Sequence, residues 1–186
     1  MIRTIPHQPW QKKLIRLLQA RREEVTRIMK EQMSSGKYEP SSASYHLTFF
    51  AVEKKGGALR VVHDLQPLNA VTVRDATLPP RVDNMIESFL GRAMYGLFDL
   101  KSGYDSQILV PISRDLTSFY VEGMGLLRLT RLPQGHTNSV AEFQWCMQHM
   151  IGSMYPEKAE VFIDDCAIKG LKTRYDEKTV PLNVQI

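Results

Sequence analysis

The order of the predicted helices and strands indicates an α+β protein with an antiparallel sheet. Apolar residues that recur every three or four positions predict helices over 10–33, 82–90 and 138–151. Short apolar runs on either side of turn residues predict hairpins over 47–63 and 159–169. Because no strand–helix–strand unit repeats along the chain, the pattern favours α+β architecture over a parallel α/β sheet.

The first half of the chain begins with an amphipathic helix over 10–33, which is expected to end before Gly36 because glycine favours the end of a helix. Two β-rich runs follow, at 47–53 and 58–63. They are joined by the residues Lys54 to Gly57, a Lys-Lys-Gly-Gly sequence that is typical of a hairpin turn. The tip of this hairpin is therefore cationic.

The second half of the chain alternates helices and strands. A short helix over 82–90 ends at Gly91, and an apolar strand over 94–100 follows it. Further strands are predicted at 107–112, 117–121 and 126–130. The helix over 138–151 then leads to the final hairpin.

Positive charge is concentrated in the N-terminal part of the chain. The formal net charge is +4, but residues 1–74 carry 13 Lys and Arg against 6 Asp and Glu, while residues 75–186 carry 11 against 14. A basic segment favours contact with a polyanion such as nucleic acid, and surplus carboxylates favour metal ions. The alternative is an ordinary solvated helix face, because eight of the cations lie between Arg3 and Lys30.

The composition fits neither a membrane protein nor a disulfide-rich secreted protein. The longest apolar runs fall far short of the ~20 residues that a membrane span needs, and the N-terminus lacks the apolar stretch of a signal peptide. The two cysteines, Cys146 and Cys166, form no CxxC pair and have no metal-ligand spacing to histidine. We therefore expect an intracellular protein, cytoplasmic or nuclear, without a membrane partner.

Three aspartates carry the sharpest chemical signal. Asp164 and Asp165 are adjacent acids in the final hairpin, and Asp99 lies inside the apolar strand over 94–100. Adjacent acids at a hairpin tip are commonly only turn residues, because Asp tolerates turn geometry. Asp99 is different, since a carboxylate in a core strand is unfavourable unless it is paired. If strand and hairpin are neighbours, divalent cations would offset the repulsion and support phosphoryl transfer with two metal ions.

Five sequence blocks between Gly36 and Gly170 carry a family resemblance. They are Glu39-Pro40-Ser41; Leu59 to Leu65 with Leu68-Asn69; Phe98 to Tyr104; Leu132 to Gly135 with Asn138-Ser139 and Phe143-Gln144; and Phe162-Ile163-Asp164-Asp165. In order and spacing these blocks resemble the fingers and palm of a reverse transcriptase of the kind found in pol polyproteins of gypsy-like long-terminal-repeat retrotransposons and retroviruses. The last block is similar to the Tyr-x-Asp-Asp box, with Phe162 in place of tyrosine. Phe162 and Ile163 would then border the primer terminus.

The resemblance implies an RNA-directed DNA polymerase, which adds deoxynucleotides to a primer 3′-hydroxyl by two-metal nucleotidyl transfer. Asp99, Asp164 and Asp165 would be its catalytic and metal-binding carboxylates. Of the three, Asp165 would have the supporting role. The backbone carbonyl of Leu100 would complete the shell of one metal. The implied cofactors are two Mg²⁺ ions, with Mn²⁺ as a substitute.

Four residues fall where the family binds the incoming nucleotide. Lys54 and Arg60 would bind its triphosphate. Two alternatives stay open: Lys55 could serve in place of Lys54, or the hairpin could simply be solvated. Tyr104 would lie under the sugar and exclude a 2′-hydroxyl, or else be a core tyrosine. Gln134 would contact the sugar or the triphosphate, or else be a polar turn residue.

The resemblance also divides the chain into domains. Residues 1–35 would be the N-terminal amphipathic helix of the fingers, 36–74 and 108–138 the rest of the fingers, 75–107 and 139–170 the palm, and 171–186 a polar tail. Only 21 residues follow Asp165, so the thumb is expected to be absent. We therefore expect a fragment or a degenerate retroelement that extends a primer poorly by itself.

The implied partners are an RNA or DNA template with its primer, deoxynucleoside triphosphates, and the thumb and ribonuclease H parts of a pol polyprotein. Its location would be intracellular, including retroelement particles. One alternative is a catalytically inactive retroelement remnant that binds nucleic acid through basic fingers. Another is a protein-interaction domain that docks through the helix over 10–33. Salt distinguishes these two, because phosphate-driven affinity falls steeply with added salt and apolar docking does not.

Overall fold

The computed structural model describes residues 1–15, 19–76, 81–100 and 102–170. The chain forms two units, of which unit 1 comprises Met1–Ala76 and Ser102–Ser139, and unit 2 comprises Thr77–Lys101 and Val140–Ile186. Residues 102–107, which the sequence assigns to the palm, belong to unit 1. The identification of the two units as fingers and palm stays a prediction.

The N-terminal residues form an extended arm rather than the start of a helix. Ile2 is buried in the core, and Gln11 forms a bridge with His46. The first helix, α1, spans Gln19–Ser34, so the predicted start at Trp10, and with it a helix over most of 1–35, is wrong. The apolar period over 10–18 is a local signal, whereas the arm forms its hydrogen bonds with distant segments of the chain.

Two antiparallel sheets build unit 1. Strands β1 (Tyr38–Pro40), β5 (Phe119–Val121) and β6 (Gly125–Leu129) form one sheet in the order β1-β6-β5, and β2 (Phe49–Glu53) pairs with β3 (Leu59–His63) in the other. The β2–β3 turn is closed by a 2.8 Å hydrogen bond from the backbone N–H of Lys54 to the carbonyl of Ala58. Gly56 and Gly57 have φ values of 110° and 84°, which glycine adopts without steric cost. The predicted hairpin is confirmed.

Three short helices of unit 1 were not expected from the sequence. They are α2 (Gln66–Val71), α4 (Gly103–Ser106) and α5 (Pro111–Arg114). The predicted strand over 107–112 is wrong, because Ile108 forms only an isolated bridge to Arg131 and Pro111 begins α5. Proline suits the first turn of a helix, where its missing N–H would have no partner, and it cannot donate to a sheet.

A group of ion pairs joins three separate segments of unit 1. Glu39 in β1 accepts hydrogen bonds from Arg114 of α5 at 3.0 Å and from Arg128 of β6 at 2.7 Å. Arg128 also contacts Asp115, which follows α5. Hydrogen bonding to Asp115 and Glu39 raises the pKa of Arg128. These charges are half-buried, so water screens their attraction less than it would on an open surface.

Unit 2 contains one antiparallel sheet and two α-helices among its described residues. Its sheet has the order β4-β8-β7, with β4 at Tyr95–Asp99, β7 at Ala159–Phe162 and β8 at Asp165–Lys169; the helices are α3 at Val82–Phe89 and α6 at Ser139–Ile151. The side chains of Phe143, Met147, Ala159, Val161 and Ala167 are buried. β4, by contrast, is an exposed edge strand, in which Leu97 is 65% and Phe98 57% exposed. The predicted core strand over 94–100 is therefore a strand but not a buried one.

No helix in the described part of the chain has the length and apolar character needed to cross a membrane.

A buried histidine lies in the aromatic core of unit 1. The ring of His63 contacts Phe119 edge-on at 4.5 Å between centroids and Tyr38 at 5.6 Å. Its Nε2 has no hydrogen-bond partner among the described residues. Burial lowers the pKa of His63 to about 4, and it also lowers the pKa of His136, again to about 4. Both rings are therefore neutral in the folded chain at neutral pH.

We expect acid to destabilise unit 1 between pH 6.5 and about 4. In this range histidine binds a proton in the unfolded chain but not in the folded one, so the free energy of unfolding falls as the pH falls. Each of the two histidines contributes a slope of up to about 1.4 kcal/mol per pH unit. Urea unfolding across this range should give a shallower slope for His63→Phe than for the wild type. Parallel slopes would contradict this account of His63.

Candidate active site

The turn between β7 and β8 carries two of the three aspartates. β7 ends at Phe162 and β8 begins at Asp165, so Ile163 and Asp164 alone form the turn. Ile163 has a φ of 58°, in the left-handed region that a β-branched side chain rarely adopts. Such a conformation persists only where surrounding contacts hold it in place.

The side-chain amide of Gln144 holds this turn. Its Nε2 donates to the carbonyl of Val161 at 2.7 Å, and its Oε1 accepts from the backbone N–H of Ile163, also at 2.7 Å. Gln144 lies on α6 and is only 3% exposed. An amide suits this position because it offers a donor and an acceptor on one planar group. Gln144 belongs to one of the sequence blocks that carry the family resemblance, but its role in the turn was not predicted. Its place beside Phe143 in that block was the signal that pointed to it.

Asp99 lies directly opposite Asp165 in the antiparallel pair of β4 and β8. Directly opposed residues point to the same face of a sheet, with Cβ atoms roughly 5 Å apart. One residue further on, the backbone N–H of Leu100 donates to the carbonyl of Asp164 at 3.0 Å. The strand and the hairpin are thus neighbours, which is the condition the sequence argument set, and the three aspartates lie at one end of this sheet.

The prediction that Asp99 is a buried carboxylate is wrong. Asp99 and Asp164 are exposed, and Asp165 is half-buried. Water therefore screens the repulsion between these carboxylates, and the folded chain tolerates them without a cation. Within the described residues, no group of three or more His, Cys, Asp or Glu side chains is arranged to hold a metal ion.

The donor chemistry of this end of the sheet nevertheless fits Mg²⁺. Hard divalent cations prefer carboxylate and carbonyl oxygens, and Asp99, Asp164, Asp165 and the carbonyl of Leu100 supply only such ligands. Phe162 and Ile163, both half-buried, flank the carboxylates on the hairpin. The roles of all six residues stay predictions.

Two of the predicted nucleotide-binding residues touch each other in unit 1. The guanidinium of Arg60, on β3, donates a hydrogen bond to the side-chain oxygen of Gln134. Lys54 and Lys55 are both exposed at the hairpin tip, and neither forms an ion pair with any described residue. The structure therefore brings Arg60 and Gln134 together and leaves the choice between the two lysines open.

Two asparagines hold the loop that carries Gln134. Asn69 donates to the carbonyl of Gly135 and accepts from the backbone N–H of Thr137, both at 2.9 Å. Asn138 bridges two other backbone groups, of residues 73 and 75, at 2.9 and 3.0 Å. Like Gln144, both asparagines belong to the sequence blocks that carry the family resemblance. Their hydrogen bonds to the backbone of the loop were not predicted from the sequence.

Tyr104 lies on α4 and is half-buried in unit 1. It is not one of the buried core side chains, which disfavours the core-tyrosine alternative. The next residue, Asp105, forms an ion pair with Lys37 at 2.6 Å. Sequence reasoning gave Asp105 no function.

The fold is that of a reverse transcriptase. It is similar to the crystal structure of the prototype foamy virus protease–reverse transcriptase, with a TM-score of 0.76 and 21% identity over 87% of this chain and 21% of that chain. It is also similar to the foamy viral protease–reverse transcriptase in complex with an RNA/DNA hybrid, with a TM-score of 0.75 and 19% identity over 86% of this chain and 21% of that one.

Residues 52–178 match the family described as reverse transcriptase (RNA-dependent DNA polymerase). The chain therefore belongs to the reverse transcriptase family.

Curated relatives agree with this assignment. The chain is 30% identical over 159 residues to the retrovirus-related Pol polyprotein from transposon 412 of Drosophila melanogaster, which covers 82% of this chain and 12% of the relative. It is 32% identical over 119 residues to the enzymatic polyprotein of cauliflower mosaic virus (strain D/H), which covers 62% of this chain and 16% of the relative. The chain thus spans less than a fifth of the length of either relative.

We expect Gln144→Leu to destabilise the chain by about 2 kcal/mol, because it leaves the carbonyl of Val161 and the N–H of Ile163 without partners. Gln148→Leu is the matched control on the same helix, since the hydrogen bond of Gln148 to the Tyr155 hydroxyl is exposed. Its effect should stay within about 0.5 kcal/mol. Chemical denaturation measures both, and hydrogen exchange of the Ile163 amide should accelerate only in Gln144→Leu. Equal losses in the two variants would contradict a special role for Gln144.

Proposed function

We propose that this chain is the part of a reverse transcriptase that carries the catalytic carboxylates and triphosphate-binding residues for RNA-directed DNA synthesis. The observation that supports this most directly is the pairing of Asp99 with Asp165 in register, closed by the Leu100–Asp164 hydrogen bond. Family membership gives the expected reaction, which is transfer of a deoxynucleotide to a primer 3′-hydroxyl. The proposed location is intracellular, in the cytoplasm, the nucleus or retroelement particles.

In this proposal Asp99, Asp164 and Asp165, with the carbonyl of Leu100, hold two Mg²⁺ ions, which Mn²⁺ can replace. When bound, the ions supply positive charge that activates the 3′-hydroxyl and neutralises the triphosphate and its leaving pyrophosphate. The carboxylates would hold the ions at one end of a sheet whose register places Asp99 opposite Asp165. The protein forms no covalent bond, and its contribution is positioning and electrostatics.

The proposed triphosphate ligands are Arg60, Lys54 and Gln134. The planar guanidinium of Arg60 binds phosphate oxygens in pairs, whereas Lys54 acts as a mobile point charge. An exposed hydrogen bond joins the Arg60 guanidinium to the side chain of Gln134, so the two proposed ligands lie side by side. Tyr104 is proposed to lie against the sugar, where its ring would exclude a 2′-hydroxyl.

The exposed hairpin, rather than α1, is the proposed nucleic-acid contact of unit 1. Arg21 and Arg22 pair with glutamates of other segments, and Arg27 pairs with two glutamates of its own helix. Lys54 and Lys55 are exposed and pair with no described carboxylate, and they are the proposed phosphate contacts. The related foamy viral enzyme has been captured with double-stranded DNA and with an RNA/DNA hybrid, which supports a template with its primer as the partner here, beside deoxynucleoside triphosphates and the other parts of a pol polyprotein.

The two alternative functions are less well supported. A catalytically inactive remnant does not require the aspartates, yet all three are present and two are paired in register. A protein-interaction domain that docks through α1 would need a free apolar face, but Val25 and Met29 of that helix are already buried in the core of unit 1.

We expect Asp99→Asn to weaken Mn²⁺ binding by at least about tenfold, because it removes one charged oxygen ligand. Asp83→Asn removes an exposed carboxylate from α3 in the same unit and is the matched control. Titration of each variant with Mn²⁺, followed by electron paramagnetic resonance, measures the affinities. Equal affinity in the wild type and Asp99→Asn would refute the metal site.

We expect Asp164→Asn to abolish primer extension while the affinity for primer–template stays within about twofold of the wild type. The carboxylate serves the chemical step, whereas binding depends on lysines and arginines, so affinity should fall steeply with added salt. Primer extension with Mg²⁺ or Mn²⁺ measures the first property, in this chain and in a version lengthened by its natural downstream sequence, since the short chain is expected to extend poorly. A filter-binding titration at several salt concentrations measures the second.

A double variant, Lys54→Ala with Lys55→Ala, should flatten the salt dependence of primer–template binding. Arg27→Ala on α1 should not, because its guanidinium is already paired with Glu24 and Glu31. Extension by Asp164→Asn at the wild-type rate would refute the proposed catalytic role. Absence of binding at low salt would refute the nucleic-acid partner as well.

A further inference from the structure

An ion pair lies directly beside the proposed sugar-contacting residue. The Nζ atom of Lys37 is 2.6 Å from Oδ2 of Asp105, and the two side chains are 29% and 30% exposed. Asp105 follows Tyr104 on α4, whereas Lys37 precedes β1, 68 positions earlier in the chain. The pair thus connects the turn that carries Tyr104 to a distant part of unit 1.

α4 is too short to hold its own orientation. It spans the four residues Gly103–Ser106 and has no side-chain cap at its N-terminus. Ser102, at the start, has a left-handed φ of 58°. The backbone bonds of α4, from Asp105 to Ser102 and from Gln107 to Tyr104, are local. A long-range backbone bond, from the N–H of Leu132 to the carbonyl of Gln107 at 2.9 Å, holds only the C-terminal end of the turn. Helices of this length are unstable alone, so tertiary contacts must orient it.

Lys37 is a fixed anchor for such a contact. Its carbonyl accepts a 3.0 Å hydrogen bond from the backbone N–H of Thr130. The next side chain, Tyr38, is buried and packs edge-on against Phe119 at 5.1 Å between centroids. Burial raises the pKa of Tyr38, and the negative charge of Asp105 raises it further. The ion pair therefore ties α4 to the residue that precedes buried Tyr38 in the core of unit 1.

We propose that Asp105 is a positioning residue that, through Lys37, fixes the orientation of Tyr104 and thereby sets the discrimination between deoxy- and ribonucleotides. Asp105 itself contacts no substrate in this proposal. Its second half rests on the proposed function, because Tyr104 can select a sugar only if the chain binds nucleotides. Its first half concerns the folded chain alone.

The test places 3-fluorotyrosine at position 104 of the full chain and records its ¹⁹F NMR signal. Asp105→Asn and Lys37→Met should each shift or broaden the signal, because the turn loses its anchor. The exchanged pair, Lys37→Asp with Asp105→Lys, should return the signal towards that of the wild type. Glu122→Gln, which breaks the Arg22–Glu122 pair of the same unit, is the matched control and should leave the signal in place.

Titrating the same samples with dATP and with ATP, each with Mg²⁺, measures sugar discrimination. Asp105→Asn should lower the preference for dATP by about two- to fivefold, the range that the loss of one partly exposed ion pair produces. The exchanged pair should restore it. A general loss of stability would lower the affinities for dATP and ATP alike and would leave the ratio of the two affinities unchanged.

An unchanged fluorine signal in Asp105→Asn, or an exchanged pair that fails to restore it, would overturn the positioning role. A signal that moves with the variants while the dATP:ATP ratio stays constant would overturn the role in discrimination. If the variants shift the fluorine signal but addition of dATP or ATP does not, the proposed nucleotide site is refuted while the positioning role stands. Asp164→Asn, which lies in unit 2, should change metal binding and leave the variant-dependent fluorine shifts intact.

Discussion

Side-chain amides hold the loops on which the proposed site is built. The turn between β7 and β8 and the loop around Gln134 cannot pair all their N–H and C=O groups within a sheet, and an unpaired buried backbone group costs about 1–3 kcal/mol. Gln144 supplies both partners for the first, and Asn69 and Asn138 supply them for the second. One amide satisfies a donor and an acceptor at once, which aspartate or leucine cannot do. The positions of Asp164 and Gln134 therefore depend on residues that take no part in the proposed chemistry.

Ion pairs decide which of the many cations of unit 1 are available to a ligand. The sequence shows a strongly basic N-terminal part, but the cations of α1 are largely matched by glutamates within 4 Å. Arg114 and Arg128 are likewise held by Glu39 and Asp115. Lys54 and Lys55 of the β2–β3 hairpin have no carboxylate partner among the described residues, and the same holds for Lys12, Lys13 and Lys30. Charge counting locates a basic region, whereas the pairing pattern shows which of its cations are already matched by carboxylates.

The exposure of β4 changes the physical account of the aspartates. A strand as apolar as 94–100 suggests burial, and burial would make unpaired carboxylates a large electrostatic penalty. β4 lies at the edge of its three-stranded sheet and Leu97 and Phe98 are open to solvent. The carboxylates are therefore tolerated in water, and their proximity comes from strand register rather than from shared need of a cation. The proposed metal binding would then serve function and would not be a condition of folding.

Features that depend on neighbouring residues can be predicted from the amino-acid sequence alone. The Lys-Lys-Gly-Gly turn, the amphipathic α6 and the β7–β8 hairpin follow from turn chemistry and periodicity, and the five blocks identified the family. Long-range contacts, by contrast, make residues 1–15 an arm, pair β1 with β6 and place Gln144 against the β7–β8 hairpin. Periodicity reports on residues within a turn or two of one another. Contacts such as Glu39 with Arg128, 89 positions apart, exist because the folded backbone brings their segments together, and no local pattern contains that information.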